Sequence, residues 1–265
     1  MNGSLNMTQS ERLIYLISAM MDEMPQYRDI AIPDDEPEQK KLLRSLMNVR
    51  PPFPVSKDFL DVQDLYLSEE VRKKGVIDCK NLSPVSADKR ICLWKGDITK
   101  LRVDAIVNAA NSGLIGCFIP LHNCIDNIIH SFSGVQLRLA CSEIIEEQGY
   151  EEPVGGAKLT LGFNLPCGYI LHTVGPSISG KLKKRDCELL ADCYKSCLEL
   201  AAKSGIRSIA FCCISTGVFN FPQDKAAETA VDTVLSFLKN NSNINQVIFD
   251  VYKDEDYILY KNLLT

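Results

Sequence analysis

The sequence Val-Asp-Ala-Ile-Val-Asn-Ala-Ala-Asn occupies residues 103–111. Its apolar first half is typical of a buried strand, and it ends in small polar residues. Comparable apolar runs occur at residues 90–95, 157–163, 169–174, 207–214 and 246–252. Helical patterns lie between and after these runs, at about residues 124–148, 186–204, 223–240 and 254–263. This alternation predicts an α/β fold with a mainly parallel or mixed sheet that helices cover on both faces.

The first 75 residues have a different pattern, which is helical. Three helices are predicted there: one from a Thr8–Glu11 capping box to Pro25, one over 37–48 after Asp34 and Asp35, and one over 57–72 capped by Ser56. Residues 75–90 have the character of a linker. We therefore predict a helical N-terminal extension with its linker over residues 1–89 and an α/β core over residues 90–265.

The composition excludes several classes of protein. With 46% hydrophobic and 24% charged residues, the 265-residue chain does not have the composition of a disordered protein. Its net charge of -5 gives no indication of binding to nucleic acid or to anionic membranes. An anionic ligand would therefore be held by backbone amides, helix dipoles or a metal ion. Motifs of the Gly-x-Gly-x-x-Gly, P-loop, His-Glu-x-x-His and Gly-x-Ser-x-Gly types are absent, which disfavours the sites they build.

The chain has eleven cysteines beside only three histidines, and these cysteines show no regular disulfide spacing. Neither a secretory signal nor an apolar run of about 18 residues is evident, so secretion and a membrane span are not predicted. We expect a cytoplasmic protein with free thiols.

Soft donor side chains are concentrated between the strand at 103–108 and the next predicted helix. The loop Gly116-Cys117-Phe118-Ile119-Pro120-Leu121-His122-Asn123-Cys124 places Cys117, His122 and Cys124 within eight residues. Two thiolates and an imidazole suit zinc. The spacing leaves three interpretations open: an open zinc site with three protein ligands, a closed site completed by Cys141 or His130, or no metal.

Asp126 follows the triplet at the start of the predicted helix. Its carboxylate either caps backbone N–H groups there or faces the open side of a metal site. His130 lies four residues further on, so the two side chains can meet on one helical face, and a surface pair is the simpler interpretation.

Three further loops carry small polar residues after strands. Asp97 and Thr99 follow the first strand, Asn108 and Asn111 end the second, and residues 215–222 follow the strand at 207–214. Asp and Asn can bind amines and ribose hydroxyls, and a glycine-containing strand-to-helix loop presents N–H groups to a diphosphate. Each loop alone is equally compatible with a turn or a cap.

Taken together, these segments resemble the macrodomain family of ADP-ribose-binding proteins. The matching stretches follow one another at residues 96–99, 104–111, 125–130, 153–157, 169–176 and 215–219. The glycine-rich loop usual in that family is replaced by the loop of Cys117, His122 and Cys124. This replacement is similar to the zinc-dependent subclass of microbial protein-ADP-ribose hydrolases, which also carries a helical N-terminal extension. The resemblance implies a three-layer α/β/α macrodomain sandwich with a mixed central sheet, and one zinc ion in an open site.

The resemblance also implies where ADP-ribose is bound. Asp97 is expected to accept a hydrogen bond from the adenine amine, and Ile98 is expected to contact the ligand through its backbone. Asn111 is expected to contact the distal ribose, with Ile125 and Asp126 beside that ribose and the metal. The diphosphate and the distal ribose are expected to be wrapped by Ser215, Thr216, Gly217, Val218 and Phe219, and Tyr252 to stack on adenine.

The activity so implied is hydrolysis of mono-ADP-ribose from a modified protein, at an N- or O-glycosyl bond of the distal ribose. Asp126 is the candidate to position or deprotonate water, and zinc either activates that water or orients the ribose hydroxyls. The resemblance further implies a sirtuin-like ADP-ribosyltransferase and a lipoyl-carrier protein as partners. Two alternatives use the same pocket: a non-catalytic ADP-ribose reader with a structural zinc, and a hydrolase of a small ADP-ribose derivative.

Overall fold

A computed structural model describes residues 6–265, in which a helical segment precedes alternating strands and helices. The elements are, in chain order, α1 (Gln9–Glu23), α2 (Glu36–Val49), α3 (Lys57–Lys74), β1 (Ile77–Asp78), β2 (Ile91–Lys95), β3 (Leu101–Arg102), β4 (Ala105–Ala110), α4 (Ile125–Ser133), α5 (Val135–Gln148), β5 (Ala157–Leu161), β6 (Tyr169–Val174), α6 (Lys184–Lys203), β7 (Ser208–Phe211), α7 (Gln223–Asn240), β8 (Gln246–Val251) and α8 (Asp254–Leu263).

The three N-terminal helices begin at the caps that the sequence predicts. The backbone N–H of Thr8 donates to a carboxylate oxygen of Glu11 at 2.7 Å, and the Glu11 N–H donates to the Thr8 hydroxyl at 3.3 Å. Asp35 and Ser56 accept hydrogen bonds from the third residues of α2 and α3. These caps satisfy N–H groups that have no partner inside the helix, which confirms the predicted starts.

Two hydrophobic clusters organise the packing. Apolar side chains of α1, α2 and α3 form one cluster, to which α5 contributes Val135. The other cluster extends from Cys79 to Leu264 and contains the strands. The predicted boundary at residue 89 stays a prediction, and residues 1–5 of the extension lie outside the described residues. Part of the predicted linker is a strand, because Ile77 and Asp78 pair in parallel with β3.

The main sheet has the strand order β2-β8-β7-β4-β6-β5. All neighbouring strands are parallel except β5, which runs antiparallel to β6. The residues of β6 from Ile170 to Val174 are all buried, although successive side chains point to opposite faces. Both faces of the sheet centre are therefore covered, which confirms the predicted α/β/α arrangement with a mixed sheet.

The predicted single helix over 124–148 is wrong, because it is interrupted at Gly134. This glycine has φ 104° and ψ 170°, a conformation almost restricted to glycine, and it separates α4 from α5. The apolar pattern continues on both sides, so the sequence alone does not reveal the break. The break turns α5 so that Val135 reaches the N-terminal cluster.

Within residues 6–265, no helix combines the length and the apolar character that crossing a bilayer requires.

Substitution of the interhelical glycine should destabilise the fold. A Cβ atom at Gly134 would lie 2.5 Å from Gln136 Oε1 and 2.6 Å from Gln63 Nε2. Gly134→Ala should lower the free energy of unfolding by about 1–3 kcal/mol, measured by urea denaturation. Gly149→Ala is the matched control, because Gly149 also has a positive φ but no atom within 4 Å of its Cβ position. Equal losses in the two variants would contradict the role of crowding at Gly134.

Candidate metal and ligand site at the carboxyl edge of the sheet

The strand order places the predicted site residues in a row. Asp97 follows β2, Tyr252 follows β8, residues 215–219 follow β7, and Asn111 follows β4. Because these strands are parallel, their carboxyl ends meet at one edge of the sheet. Three interstrand spacings of about 4.8 Å separate β2 from β4, so the row is about 14 Å long at the level of the strands. The edge therefore suits an elongated ligand.

The metal-donor triplet comes together as predicted. The candidate ligand atoms of Cys117, His122 and Cys124 lie within 4.8 Å of one another. The Cys117 sulfur is 3.5 Å from His122 Nδ1. Tetrahedral zinc with usual Zn–S and Zn–N bond lengths requires an S···N separation of about 3.6 Å. The donor set and its spacing thus fit a zinc ion.

The thiol of Cys124 is disfavoured as a free thiolate. Burial, together with the neighbouring Cys117 and Asp126, raises the pKa of Cys124 to about 12. A divalent cation removes this penalty, because a coordinating thiol is deprotonated outright.

The two candidates for a fourth protein ligand lie elsewhere. His130 and Cys141 form a separate buried group with His172. The Cys141 sulfur is 3.8 Å from His172 Nε2, and burial raises the Cys141 pKa to about 12. This separation favours three protein ligands over a closed site.

Asp126 is buried beside the triplet and is held by two amides. Its Oδ1 accepts from Asn108 Nδ2 at 2.8 Å, and its Oδ2 accepts from Asn111 Nδ2 at 3.3 Å. The helix cap is instead Cys124, whose sulfur accepts from the Asn127 N–H at 3.4 Å. Burial raises the Asp126 pKa to about 6, although Asn108, Arg138 and Asn111 oppose that shift. The carboxylate is therefore available for another role than capping.

Asp126 and His130 meet on one face of α4 as predicted, but the interpretation as a surface pair is wrong, because both side chains are buried. His130 Nε2 lies 3.5 Å from Asp126 Oδ1. Burial and the nearby His172 lower the His130 pKa well below its usual value. His130 is therefore neutral, and the contact is not an ion pair.

A hydrogen-bond chain behind Asp126 orients Asn108. The Asn108 amide nitrogen also lies 3.2 Å from His172 Nδ1. An amide nitrogen can only donate, so Nδ1 accepts and the ring proton lies on Nε2, 2.9 Å from Thr160 Oγ1. Burial lowers the His172 pKa to about 3, so the ring is neutral, as this series of hydrogen bonds requires.

The carboxylate of Asp97 already interacts with two other residues of the protein. Its Oδ1 accepts from the Thr99 N–H at 3.0 Å, and its Oδ2 forms an ion pair with Lys74 of α3 at 2.5 Å. Burial raises the Asp97 pKa, but Lys74 and Thr99 lower it by more, so the net shift is downward. Asp97 is therefore an ionised acceptor with the N-terminal segment beside it.

The loop after β7 has the features of an anion cradle. Ser215 is buried with φ 67°, and its hydroxyl has no partner within the described residues. Across residues 6–265, no protein acceptor takes the amides of Gly217, Val218 and Phe219. Left-handed backbone is costly for residues other than glycine and is concentrated near functional sites. Free amides in a strained loop before α7 suit a diphosphate.

Several residues near the site have a role that the sequence does not indicate. Asn108 is predicted as a polar residue able to bind ribose hydroxyls and not as the partner of Asp126, and His172 only as part of a matching strand. Lys74, Arg44, Asn48 and Arg138 lie in helical patterns where their charge or polarity is typical of a solvated face. Only the fold shows that they point to the site.

The comparisons with known proteins agree with this geometry. The family model described as Macro domain matches residues 107–230. A protein-ADP-ribose hydrolase of Treponema medium is 57% identical over 98% of this chain and 100% of its own length. A protein-ADP-ribose hydrolase of Staphylococcus aureus strain MRSA252 is 51% identical over 94% of both chains. The crystal structure of a Trypanosoma brucei macrodomain in complex with ADP-ribose is similar with a TM-score of 0.65 and 28% identity, covering 84% of this chain and 95% of that one.

The remaining thiols should differ in reactivity as their burial differs. All eleven cysteines are free, and α6 carries the partly exposed Cys187 together with the buried Cys193 and Cys197. Burial raises the Cys193 pKa to about 11. Because only the thiolate reacts, Cys193 should be alkylated at least about 100-fold more slowly in native than in unfolded protein, measured by peptide mass spectrometry. The partly exposed Cys187 is the control and should be protected less on folding, and equal protection of the two thiols would contradict this packing of α6.

Proposed function

This chain belongs to the macro domain family, and on that premise we propose that it is a zinc-dependent hydrolase that removes mono-ADP-ribose from modified proteins. The bond cleaved joins the protein to the anomeric carbon of the distal ribose. The observation that carries the proposal is the donor triplet in the loop that leads into α4, together with a buried carboxylate, Asp126, in the first turn of that helix. The names of the curated relatives from Treponema medium and Staphylococcus aureus support the same activity.

The row of loops at the sheet edge sets how ADP-ribose lies. The adenine belongs at Asp97 and Tyr252, since these follow the edge strand β2 and its neighbour β8. The diphosphate belongs at residues 215–219, where free backbone N–H groups can donate hydrogen bonds to its oxygens. The distal ribose then reaches Asn111, Ile125 and Asp126. Binding energy from the adenine and diphosphate positions the reacting carbon.

Zinc would be held by Cys117, His122 and Cys124, and when bound it supplies a Lewis acid that polarises oxygen atoms near the distal ribose. The two thiolates balance the charge of the ion, which makes the centre less electrophilic than one with neutral ligands. Orientation of the ribose by the protein is therefore as important as activation. We take an acidic side chain as the modified group, because its carboxylate can leave with the bonding electron pair without first being protonated.

Asp126 can accept the proton that hydrolysis releases. A water oxygen bonds to the anomeric carbon, the bond from that carbon to the side-chain oxygen of the modified protein breaks, and the leaving carboxylate takes the bonding electron pair. The water proton passes to Asp126, whose pKa of about 6 lies close to neutral pH. Asn108 and Asn111 hold the carboxylate in place throughout.

A reader of ADP-ribose would bind with the same residues but would leave the modification in place. Release of ADP-ribose from a mono-ADP-ribosylated protein therefore distinguishes the proposal from that alternative. A hydrolase of small derivatives would act on acetylated ADP-ribose and spare the modified protein.

Removal of the metal should stop the reaction. A zinc chelator should abolish release of ADP-ribose from a protein modified on acidic side chains, and added zinc should restore it. Cys124→Ala should lose bound zinc and at least about 100-fold in rate, since a catalytic metal contributes several kcal/mol. Cys187→Ala, which changes a partly exposed thiol on α6, is the control. A zinc-free Cys124→Ala protein with the normal rate would contradict the role of the metal.

Loss of the carboxylate should separate chemistry from binding. Asp126→Asn, which keeps a side-chain oxygen that can accept from Asn108, should lower the rate of release by about 100-fold to 10,000-fold, as expected for loss of a general base. The dissociation constant of ADP-ribose, measured by calorimetry, should change by less than about 10-fold, because the adenine and diphosphate contacts remain. Asp232→Ala, on the exposed face of α7, is the control. A rate within about threefold of wild type would exclude Asp126 as the base.

A further inference from the structure

The donor-bearing loop forms few hydrogen bonds within itself. Its first half is held by Asn111, which bonds the backbone of Gly113, Leu114 and Gly116, each at 3.0 Å. From Cys117 to Cys124, one backbone bond of the described residues is internal, from His122 N–H to Ile119 C=O at 3.2 Å. Two residues of this loop, Leu114 and Leu121, have positive φ angles of 57° and 56°. A strained loop with so few internal bonds keeps one conformation only when its surroundings hold it.

Helix α2 supplies the first contact from outside. The Arg44 guanidinium donates to the backbone C=O of His122 at 2.7 Å and to Asn127 Oδ1 at 2.9 Å. His122 is a member of the donor triplet, so this bond fixes the backbone from which the imidazole projects. One terminal nitrogen of Arg44 thus joins α2 to the loop and to α4.

The next turn of the same helix supplies a second contact. Asn48 lies four residues after Arg44 and therefore on the same helical face. Its Oδ1 accepts from the Leu121 N–H at 3.0 Å, and its Nδ2 donates to Ser131 Oγ at 2.9 Å. Asn48 is only 1% exposed, so its polar groups depend on these partners. The bond to Leu121 holds one of the two strained residues.

Asn127 of α4 completes the arrangement. Its amide nitrogen donates to the Ile119 C=O at 2.9 Å and to the Cys117 C=O at 3.4 Å, while its oxygen accepts from Arg44. The guanidinium therefore fixes which end of the amide faces the loop. Through Asn127, α2 also reaches the backbone of Cys117.

From these contacts we propose that α2 is part of the metal centre, with Arg44 and Asn48 as positioning residues that hold the donor loop in its ligand-binding conformation. The proposal rests on the proposed function only for the identity of the cation. The N-terminal helical segment then has a role in preorganising the loop. This lowers the entropy cost of ordering the loop when the metal binds.

The test measures zinc affinity and loop protection separately in the full-length chain. Zinc dissociation constants are obtained by competition with a chromophoric chelator, and amide hydrogen exchange of residues 115–123 is followed in excess chelator. Arg44→Met and Asn48→Ala should weaken zinc binding by about 10-fold to 100-fold, the range found for groups that orient metal ligands. Without metal, loop amides should exchange about 10-fold faster or more. Arg44→Lys, which keeps the charge but not the forked donor, should be intermediate.

Two control variants lie on the same helix. Lys41→Met removes an exposed charge whose one ion-pair partner among residues 6–265 is Glu38, and Ser45→Ala removes a hydroxyl that bonds within the helix. Both should leave zinc affinity and loop exchange unchanged. Exchange in α6 and α7 shows that each variant is folded, so a change confined to the loop is local.

The outcomes separate the two proposals. Tight zinc binding with unchanged loop exchange in both Arg44→Met and Asn48→Ala overturns the role of α2 while the metal site stands. Faster loop exchange in a chain that takes up no zinc supports the role of α2 and overturns the metal in the proposed function.

Discussion

The pair of hydrogen bonds from Asn108 and Asn111 to Asp126 closes the loop on which the site depends. The loop begins at the end of β4 and ends at the start of α4, and these bonds join its two ends. All three soft donors lie between the joined ends. Because buried carboxylates are costly when unpaired, this closure is strongly specified. The position of the metal donors relative to the carboxylate follows from it.

The sheet topology places this closed loop beside the other loops of the site. Parallel strands β2, β8, β7 and β4 end at one edge, so loops that are distant in sequence form one row. An acidic chain can hold an anionic ligand there with free amides and a cation. The N-terminal helices are connected to this row at both ends, through Lys74 at Asp97 and through Arg44 at His122. The N-terminal helices therefore contribute side chains to the surroundings of the site.

Most of the fold could be predicted from the sequence because local signals mark it. The caps Thr8, Asp35 and Ser56 determine the helix starts, and apolar runs mark the strands. The break at Gly134 could not be predicted, because a single glycine in an apolar helical pattern is compatible with a continuous helix. The spacing indicated that the three donors of the triplet lie together, whereas the open zinc site was implied by the family resemblance. Arg44 and Asn48 were not predictable, since their role depends on contacts across more than 70 residues of chain.

The most direct test of the account is the X-ray absorption spectrum of zinc in the full-length protein. We predict one zinc per chain with two sulfur neighbours at about 2.3 Å and lighter N or O neighbours at about 2.0–2.1 Å. One of these lighter neighbours should come from outside the protein. A shell with three or more sulfur atoms, or a folded chain that holds no zinc after incubation with the metal, would contradict it.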